Sequence, residues 1–406
     1  MTLPVLIIGA GLGGICLAQA LQKTNIPFKL FEKDDHHNLQ TQGYRLRISE
    51  SGTKALKESL TPDLFTLFQK TCATTAGFGI RIKPDGTLIP FSSAGGPSKP
   101  PHATALGEAY TVDRSAFREA LLTGLEEHTF FGKAFSHYEL CETCITAHFT
   151  DGSSVDGSLL VGADGVHSRV RKQYIPEYPA LDTGLRIVFG KTPITPAFLA
   201  ATPESYQAGM SLASDAGDGA QPTLLWEVIR FPCAVEEIDL PAPYVYWVLV
   251  FDRAHLGLAA DGRRWRAAGP GEAAGLARRL TGSWADSVRS VIDLQDESQS
   301  SVRSILSAVP EIAGWEASAR VTLLGDAVHP MPPTGAMGAN TALRDAADLA
   351  RRIAGVAGVE GVDDRVIGEY EADLREYART AIGLSWQGGM KSFGLRPVDE
   401  CEKIVL

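Results

Sequence analysis

An apolar run near the amino terminus, Val5-Leu-Ile-Ile8, passes at once into Gly9-Ala-Gly11-Leu-Gly-Gly14 and then into an apolar-periodic stretch that lasts to Lys23. A short apolar run bounded by glycine is what a parallel strand buried on both faces requires. Each glycine then has a separate task. Gly9 permits the tight turn, Gly11 lets a pyrophosphate approach the backbone, and Gly14 lets helix and strand pack closely. The helix that opens here offers free N–H groups and the positive end of its dipole to phosphates. A second short strand, Phe28 to Phe31, ends in Glu32, where a carboxylate can bind ribose hydroxyls. GxGxxG alone is weak evidence. In the order strand, turn, helix, strand, glutamate, it predicts a dinucleotide-binding βαβ unit within an α/β fold.

The chain has 406 residues, enough for two lobes. Apolar residues make up 44% and charged residues 21%, so disordered and fibrous classes drop out. A net charge of −10 disfavours nucleic acid, which needs a basic surface, and gives no polybasic membrane anchor. No integral membrane segment is read. The apolar start from Leu3 to Leu21 lacks a basic flank, and its glycines fit a turn better than a signal-peptide core. Cys141 and Cys144 form a lone CxxC with no second pair and no histidine pair beside it. They read as two strand cysteines in a reducing, cytoplasmic enzyme, with no metal expected.

Farther along, residues 53–70 read as one helix, and 77–91 as a hairpin turning at Pro84-Asp85-Gly86. Residues 92–102 are rich in Gly, Pro and Ser and read as a surface loop. Ser115 to Glu127 is an amphipathic helix, and 137–162 alternates like antiparallel strands with a turn at Asp151-Gly152. From about 176 to 295 the chain turns β-rich and aromatic, with strands at Leu224–Phe231 and Tyr244–Phe251. Val321 to Leu324 returns to the buried-strand pattern, Ala336 to Ala354 is a long helix, and the tail from 363 is helical to about Gly394. No internal repeat is present.

Two further strand ends carry polar turns: Leu159-Leu-Val-Gly-Ala-Asp164-Gly165-Val-His-Ser168-Arg-Val-Arg171 and Val321-Thr-Leu-Leu-Gly325-Asp326-Ala-Val-His329-Pro. Alone, each is ordinary turn chemistry. With the first motif, and in this order, they resemble the fingerprint set of the group A flavoprotein monooxygenases, the aromatic-hydroxylase family. The resemblance runs from residue 3 to about 355 and is weakest in the middle. It implies a Rossmann-type (GR2) FAD-binding domain from residues 1–72, 103–175 and 296–360. A β-sheet substrate domain, 73–102 and 176–295, is inserted, and a C-terminal helical segment, 361–406, follows.

The stretch Gly325-Asp-Ala-Val-His-Pro-Met-Pro-Pro-Thr-Gly-Ala-Met-Gly-Ala-Asn340 is similar to that of para-hydroxybenzoate hydroxylase-like enzymes. The resemblance places Asp326 on the ribityl chain of FAD. It places the backbone of Gly338, Ala339 and Asn340, at a helix N-terminus, by the flavin pyrimidine, where a helix dipole stabilises the negative charge of reduced flavin. The turn Pro332–Gly335, with Pro333, borders the catalytic pocket. Arg45 and Arg114 match flavin contacts, with Arg47 on the same strand face as the alternative to Arg45. Asp164 belongs to the pyrophosphate region, and Ser168 and Arg171 brace its turn. His329 reads equally as a flavin neighbour or as a structural strand-end histidine.

What the resemblance implies chemically is a single-component enzyme in which NAD(P)H reduces bound FAD and O2 then gives a C4a-hydroperoxide. That electrophile hydroxylates, epoxidises or Baeyer–Villiger-oxidises an aromatic or polyketide-like molecule of secondary metabolism. The cofactor carries the hard step, so neither triad nor metal is needed, and GxSxG and HExxH are absent. No second GxGxxG is present, so NAD(P)H is expected as a transient co-substrate. Phe189, Trp226 and Trp247 are pocket candidates as well as core candidates, Arg186 is a candidate for orienting an anionic substrate, and Tyr206 and Tyr246 are candidates for a phenol relay. The chain is expected to act as a monomer or homodimer. An FAD dehydrogenase or reductase that inserts no oxygen is the alternative, and a nucleotide-binding sensor or scaffold is a third reading.

Overall fold

The computed structural model describes residues 2–35, 45–74, 77–90, 109–207, 209–215, 221–257, 269–356 and 358–406. Strand β1 (Val5–Ile8) is buried at every position, and α1 (Leu12–Lys23) follows directly, buried through Leu21. Next come β2 (Phe28–Phe31) and β3 (Arg45–Ile48). The helix expected over 53–70 is two helices, α2 (Glu50–Ser59) and α3 (Pro62–Lys70). Pro62 has no N–H with which to continue α2, and the Thr61 hydroxyl caps α3 by accepting the Leu64 N–H.

β4 (Phe78–Ile82) leads into the expected turn, where Gly86 takes φ +85° and the Lys83 N–H donates to the Thr87 carbonyl over 2.8 Å. The loop expected at 92–102 lies outside the described residues. β5 (Tyr110–Asp113) runs into α4 (Arg114–Leu122), which stops short of Glu127 because Gly124, at φ +79°, turns the chain away. Then follow β6 (Thr129–Phe130), β7 (Phe135–Leu140), β8 (Ile145–Phe149), β9 (Ser154–Gly157), β10 (Leu159–Gly162) and α5 (Arg169–Tyr174). Cys141 and Cys144 are not separate strand cysteines. They sit in the β7–β8 turn, which brings their Cα atoms to 5.1 Å, and they are joined as a disulfide.

The middle of the chain forms β11 (Pro179–Pro193), α6 (Pro196–Ala201), β12 (Met210–Ala213), β13 (Thr223–Ile229), β14 (Tyr244–Asp252), α7 (Pro270–Leu280), α8 (Asp286–Asp293) and β15 (Ser301–Ala308). β16 (Val321–Leu323), α9 (Met337–Gly355), α10 (Asp364–Phe393) and β17 (Glu402–Val405) complete it. Gly394 ends α10 in the left-handed conformation, φ +63°. Among the described residues no helix is long and apolar enough to cross a membrane.

Five strands make a parallel sheet in the order β16-β10-β1-β2-β6. Its register sets Ile8 beside both Phe31 and Gly162, and Gly162 beside Leu323. The three polar turns that follow β1, β10 and β16 therefore emerge side by side at the carboxyl ends of the strands, where open α/β sheets bind ligands.

The other large sheet runs β15-β11-β14-β13-β12-β4, with β17 joined to β11. Its two faces are unlike. One carries Val188, Trp226, Val245, Trp247 and Leu249 and packs on Ala277 of α7 and Val288 of α8. The other carries Leu185, Ile187, Ile229, Tyr244, Tyr246 and Val248 and packs on Ile382 and Trp386 of α10. Trp226 and Trp247 are thus core residues on the face that packs against α7 and α8. Their indole N–H groups donate to the Tyr206 carbonyl over 2.8 Å and to the Thr192 hydroxyl over 3.1 Å. Arg186 stands opposite Phe251 and shares the parity of Val188. Its guanidinium is held by both carboxylate oxygens of Asp182, each at 2.9 Å. The role of orienting substrate expected of Arg186 is therefore corrected: strand parity turns it away, and Asp182 occupies it.

Candidate cofactor and substrate site

Gly9 takes φ +106°, and a Cβ there would sit 2.5 Å from the Ala163 carbonyl oxygen. A Cβ on Gly14 would lie 2.1 Å from the Gly9 carbonyl oxygen. Both glycines are thus required by close approach of backbone to backbone. Gly11 differs: the nearest atom to a Cβ there would be Ala163 O at 3.9 Å. Its open side, beside the uncapped N-terminus of α1, is where a phosphate would meet the chain. Glu32 is buried at the end of β2. Its Oε2 accepts the Ala10 N–H and an Arg118 N–H, each at 2.9 Å, and its Oε1 accepts the Asp34 N–H at 3.1 Å. The carboxylate fixes the glycine loop to the strand end beside it.

The second turn is closed on itself. Asp164 accepts the Ser168 hydroxyl at 2.5 Å and the Arg169 N–H at 2.7 Å, and Ser168 in turn accepts the Arg171 N–H at 2.9 Å. Burial pushes the Asp164 carboxyl up, while these donors pull it down. Its hold on a pyrophosphate region would run through the shape of the turn. Arg171, wholly buried, donates to the Ala327 carbonyl at 2.9 Å and the Val166 carbonyl at 2.8 Å, stitching the second turn to the third.

In that third turn Asp326 is exposed at its tip yet ringed by protein. Loss of bulk water around it pushes its carboxyl up, and His329 and Arg114 pull it down. His329 is fully buried. Its Nε2 lies 2.6 Å from Asp345 Oδ2, and the same oxygen accepts the Gly325 N–H at 2.9 Å. Of the two readings of His329, these contacts support the structural one. Burial, the largest single influence, works against its charge, but Asp345 together with Asp326 raises the imidazole above its ordinary range. Asp345 escaped sequence reasoning, although a carboxylate on the inner side of the apolar stripe of α9 was a signal to be read.

α9 begins after Ala336, itself left-handed at φ +56°, and no side chain caps its first turn. The residues that carry its first N–H groups, Met337, Gly338 and Ala339, are half-buried. Asn340 acts as a clasp. Its Oδ1 accepts the Ser49 N–H at 2.9 Å, and its Nδ2 donates to the Arg47 and Ala336 carbonyls at 2.9 and 2.5 Å. The Pro332–Gly335 turn is held from α10. The Ser385 hydroxyl donates to the Pro332 carbonyl at 2.6 Å, and the Thr334 hydroxyl donates back to the Ser385 carbonyl. Pro333 is left exposed. Nothing in the sequence around Ser385 announces that task.

Arg114 opens α4, with Asp326 and Arg303 as its charged neighbours; burial lowers its pKa, and Asp326 partly restores it. Arg45 pairs with Glu227 of β13 at 2.7 Å, on the sheet face turned to the FAD-binding half. Burial raises the Glu227 carboxyl, and Arg45 and Arg47 oppose the shift. Beside this pair, Asp113 Oδ2 accepts Lys191 Nζ at 3.0 Å and the Tyr244 hydroxyl at 2.6 Å, while its Oδ1 caps α4 through the Ser115 N–H at 2.9 Å. Tyr246 lies on this face; Tyr206 packs in the opposite core. Glu227 and Lys191 were also missed, though Glu227 is the one charge in the otherwise apolar strand β13.

A family profile described as an FAD binding domain matches residues 300–385, and one described as an NAD(P)-binding Rossmann-like domain matches residues 7–66. The dual O-methyltransferase/FAD-dependent monooxygenase elcB of Phaeosphaeria nodorum is 38% identical across 98% of this chain and 47% of its own length. The similarly described CTB3 of Cercospora beticola is 38% identical across 99% of this chain and 48% of its own. The chain thus spans about half the length of these curated relatives. The FAD-dependent monooxygenase thnD of Trichoderma harzianum, 26% identical, is matched across 99% of this chain and 97% of its own. Among solved structures, a candidate FAD-containing monooxygenase from Photorhabdus luminescens superposes with TM-score 0.77 at 28% identity, covering 97% of this chain and 99% of that one. Klebsiella pneumoniae HpxO, complexed with FAD and uric acid, shares the fold with TM-score 0.73 at 20% identity, covering 97% of this chain and 89% of that one.

Two outcomes are expected. Asp326→Ala should weaken FAD binding about ten- to hundredfold in a flavin titration, the scale of a lost charge-assisted hydrogen bond of ~1.5–3 kcal/mol. Unchanged affinity would remove Asp326 from the cofactor site. Because the folded-state pKa of His329 is raised, its contribution to stability is complete below the ordinary imidazole range and is lost as pH rises through the raised value. Urea unfolding of wild type and His329→Gln should differ most under acidic conditions and converge once pH has risen through the raised value. A gap that widens with pH would contradict the assignment.

Proposed function

From the premise that this chain has the FAD-binding fold of the group A flavoprotein monooxygenases, we propose that it is an NAD(P)H-dependent monooxygenase. It would insert one oxygen atom of O2 into an aromatic or polyketide-like small molecule. The observation that carries the reading is the convergence of three strand-end turns and the uncapped N-terminus of α9 opposite a charged, aromatic sheet face.

The residues fit FAD. Gly9 and Gly14 leave no room for a side chain, while Gly11 presents open backbone at the start of α1, as an approaching pyrophosphate requires. In this reading Glu32 receives the ribose, and the turn built on Asp164 shapes the pyrophosphate end. Asp326 takes the ribityl hydroxyls, with Arg114 balancing its charge. The backbone of Gly338, Ala339 and Asn340 turns the positive end of α9 toward the flavin pyrimidine, and Arg45 or Arg47 borders the ring. When bound and reduced by a nicotinamide, FAD supplies the electrons and the activation of O2.

The protein's own part is placement and exclusion of water. Phe189, Tyr246 and Val248 carry the parity of the sheet face turned to the FAD-binding half and would wall the pocket from that side. Pro333, on the turn anchored by Ser385, would wall it from the other. Lys191, paired with Asp113, and Arg45, paired with Glu227, line the face as neutralised ion pairs that hold β3 and β5 against it. The names of the fungal relatives support oxygenation, and a division into an FAD-binding half, an inserted substrate-binding sheet and a C-terminal helical segment follows the same reading.

The test is turnover under isotopically labelled oxygen, with NADPH or NADH and a panel of phenolic and polyketide-like compounds. The expected result is substrate-stimulated nicotinamide oxidation and a product carrying one labelled oxygen atom. An oxidised product without label would assign the chain to the dehydrogenases instead.

A further inference from the structure

The outer face of the β7–β8–β9 sheet carries side chains that the cofactor site does not use. His137 and His148 stand directly opposite one another on β7 and β8. Their rings are stacked, with 4.5 Å between centroids and 5° between planes. Glu139, two residues along β7 and so on the same face, offers one oxygen to each ring. Its Oε1 lies 3.9 Å from His137 Nε2 and its Oε2 lies 3.6 Å from His148 Nε2. The ligand atoms of all three residues fall within 4.8 Å of one another. His148 Nε2 is covered from solvent and has no hydrogen-bond partner, although a buried ring nitrogen ordinarily finds one.

Contrary to the expectation of no metal, we propose that His137, Glu139 and His148 form a binding site for a divalent cation of the zinc type, with water completing the coordination. Two imidazoles and a carboxylate are a donor set for zinc, and ligands held at about 2.0–2.2 Å around a tetrahedral ion stand about 3.3–3.6 Å apart. The observed Glu139–His separations of 3.6 and 3.9 Å are close to that spacing, and the two stacked rings would turn out of parallel so that both Nε2 lone pairs converge on the ion. A cation held there also satisfies the unpartnered His148 Nε2. In the sequence no histidine pair adjoins the CxxC. The fold supplies one, because the hairpin closed by Cys141–Cys144 returns His148 to lie across from His137.

The site has a structural consequence. β7 braces α5: Gln173 accepts the Tyr138 N–H at 2.9 Å and donates to the Tyr138 carbonyl at 2.7 Å, and Arg169 donates to the Phe135 carbonyl at 2.7 Å. α5 begins at the turn shaped by Asp164. An ion joining β7 to β8 would therefore stiffen the support of that turn, and it does so whatever reaction the enzyme performs.

The experiment is a zinc titration by calorimetry on FAD-loaded, chelator-stripped full chain in non-reducing buffer, paired with thermal unfolding. The expected result is saturable binding of about one zinc per chain, a raised unfolding midpoint, and affinity at least about tenfold weaker in His137→Ala/His148→Ala. Glu139→Gln, which keeps shape and removes charge, should weaken binding as well and serves if the double variant fails to fold. An intact flavin spectrum in each variant confirms folding. Equal zinc affinity in wild type and folded variants, or no binding by wild type up to millimolar zinc, would overturn the proposal.

Discussion

A methyl group placed on Gly9 would come within 2.5 Å of the Ala163 carbonyl oxygen, and one on Gly14 within 2.1 Å of the Gly9 carbonyl. That crowding is the constraint from which the rest of the FAD-binding half follows. Two strand ends meet without side chains between them, so β1 and β10 finish at one level and their turns share a wall. β16 joins them through β10, and the buried Arg171 locks its turn to theirs by donating to Val166 and Ala327 carbonyls. Carbonyls on two turns offset the cost of burying this guanidinium by accepting from two of its nitrogens. On the far side of the third turn, Asp345 does the corresponding work by binding Gly325 and His329 together. The polar turns are thus held in place by groups behind them, and their front stays open for a ligand.

The middle sheet meets this half through charge as well as through apolar contact. Arg45 with Glu227, and Lys191 with Asp113 and Tyr244, bridge β3 and β5 to β11, β13 and β14. Pairs this well covered contribute little net stability, because desolvation offsets most of the attraction, but removing one partner would strand a buried charge. Their effect is to fix how the β3–β5 pair sits on the sheet. The opposite face of the sheet carries no such charges at Trp226, Val228, Val245 and Trp247 and serves as core against α7 and α8. One strand of alternating side chains divides the two tasks.

Much of the FAD-binding half was legible in the sequence because its signals are local. Gly9, Gly11, Gly14 and Glu32 announce their turn within one βαβ unit, and the Gly325–Asn340 stretch becomes distinctive once it is set beside them in this order. The helices that carry these motifs, α1 and α9, were likewise clear from their periodicity. What was not legible depends on pairings distant in sequence. Whether Arg186 faces the cofactor or the core is decided by its register against Phe251, and Asp182, four residues away, completes the answer. The same register sends Trp226 and Trp247 to the core. Glu227 finds Arg45, and Ser385 finds Pro332, only once the halves are assembled. Local propensity also failed at Leu60-Thr-Pro62, where a periodic pattern concealed two helices until the missing N–H of proline was given its weight.

On this reading the open fronts of these turns together hold one flavin per chain. The most direct measurement is the visible absorption spectrum of the purified protein, with flavin quantified against protein after release. The account predicts a yellow protein, or one that becomes so with added FAD, whose flavin band is perturbed from that of free FAD and approaches one equivalent per chain. A colourless protein that takes up no FAD on reconstitution would contradict it, and the functional reading built on those turns would fall with it.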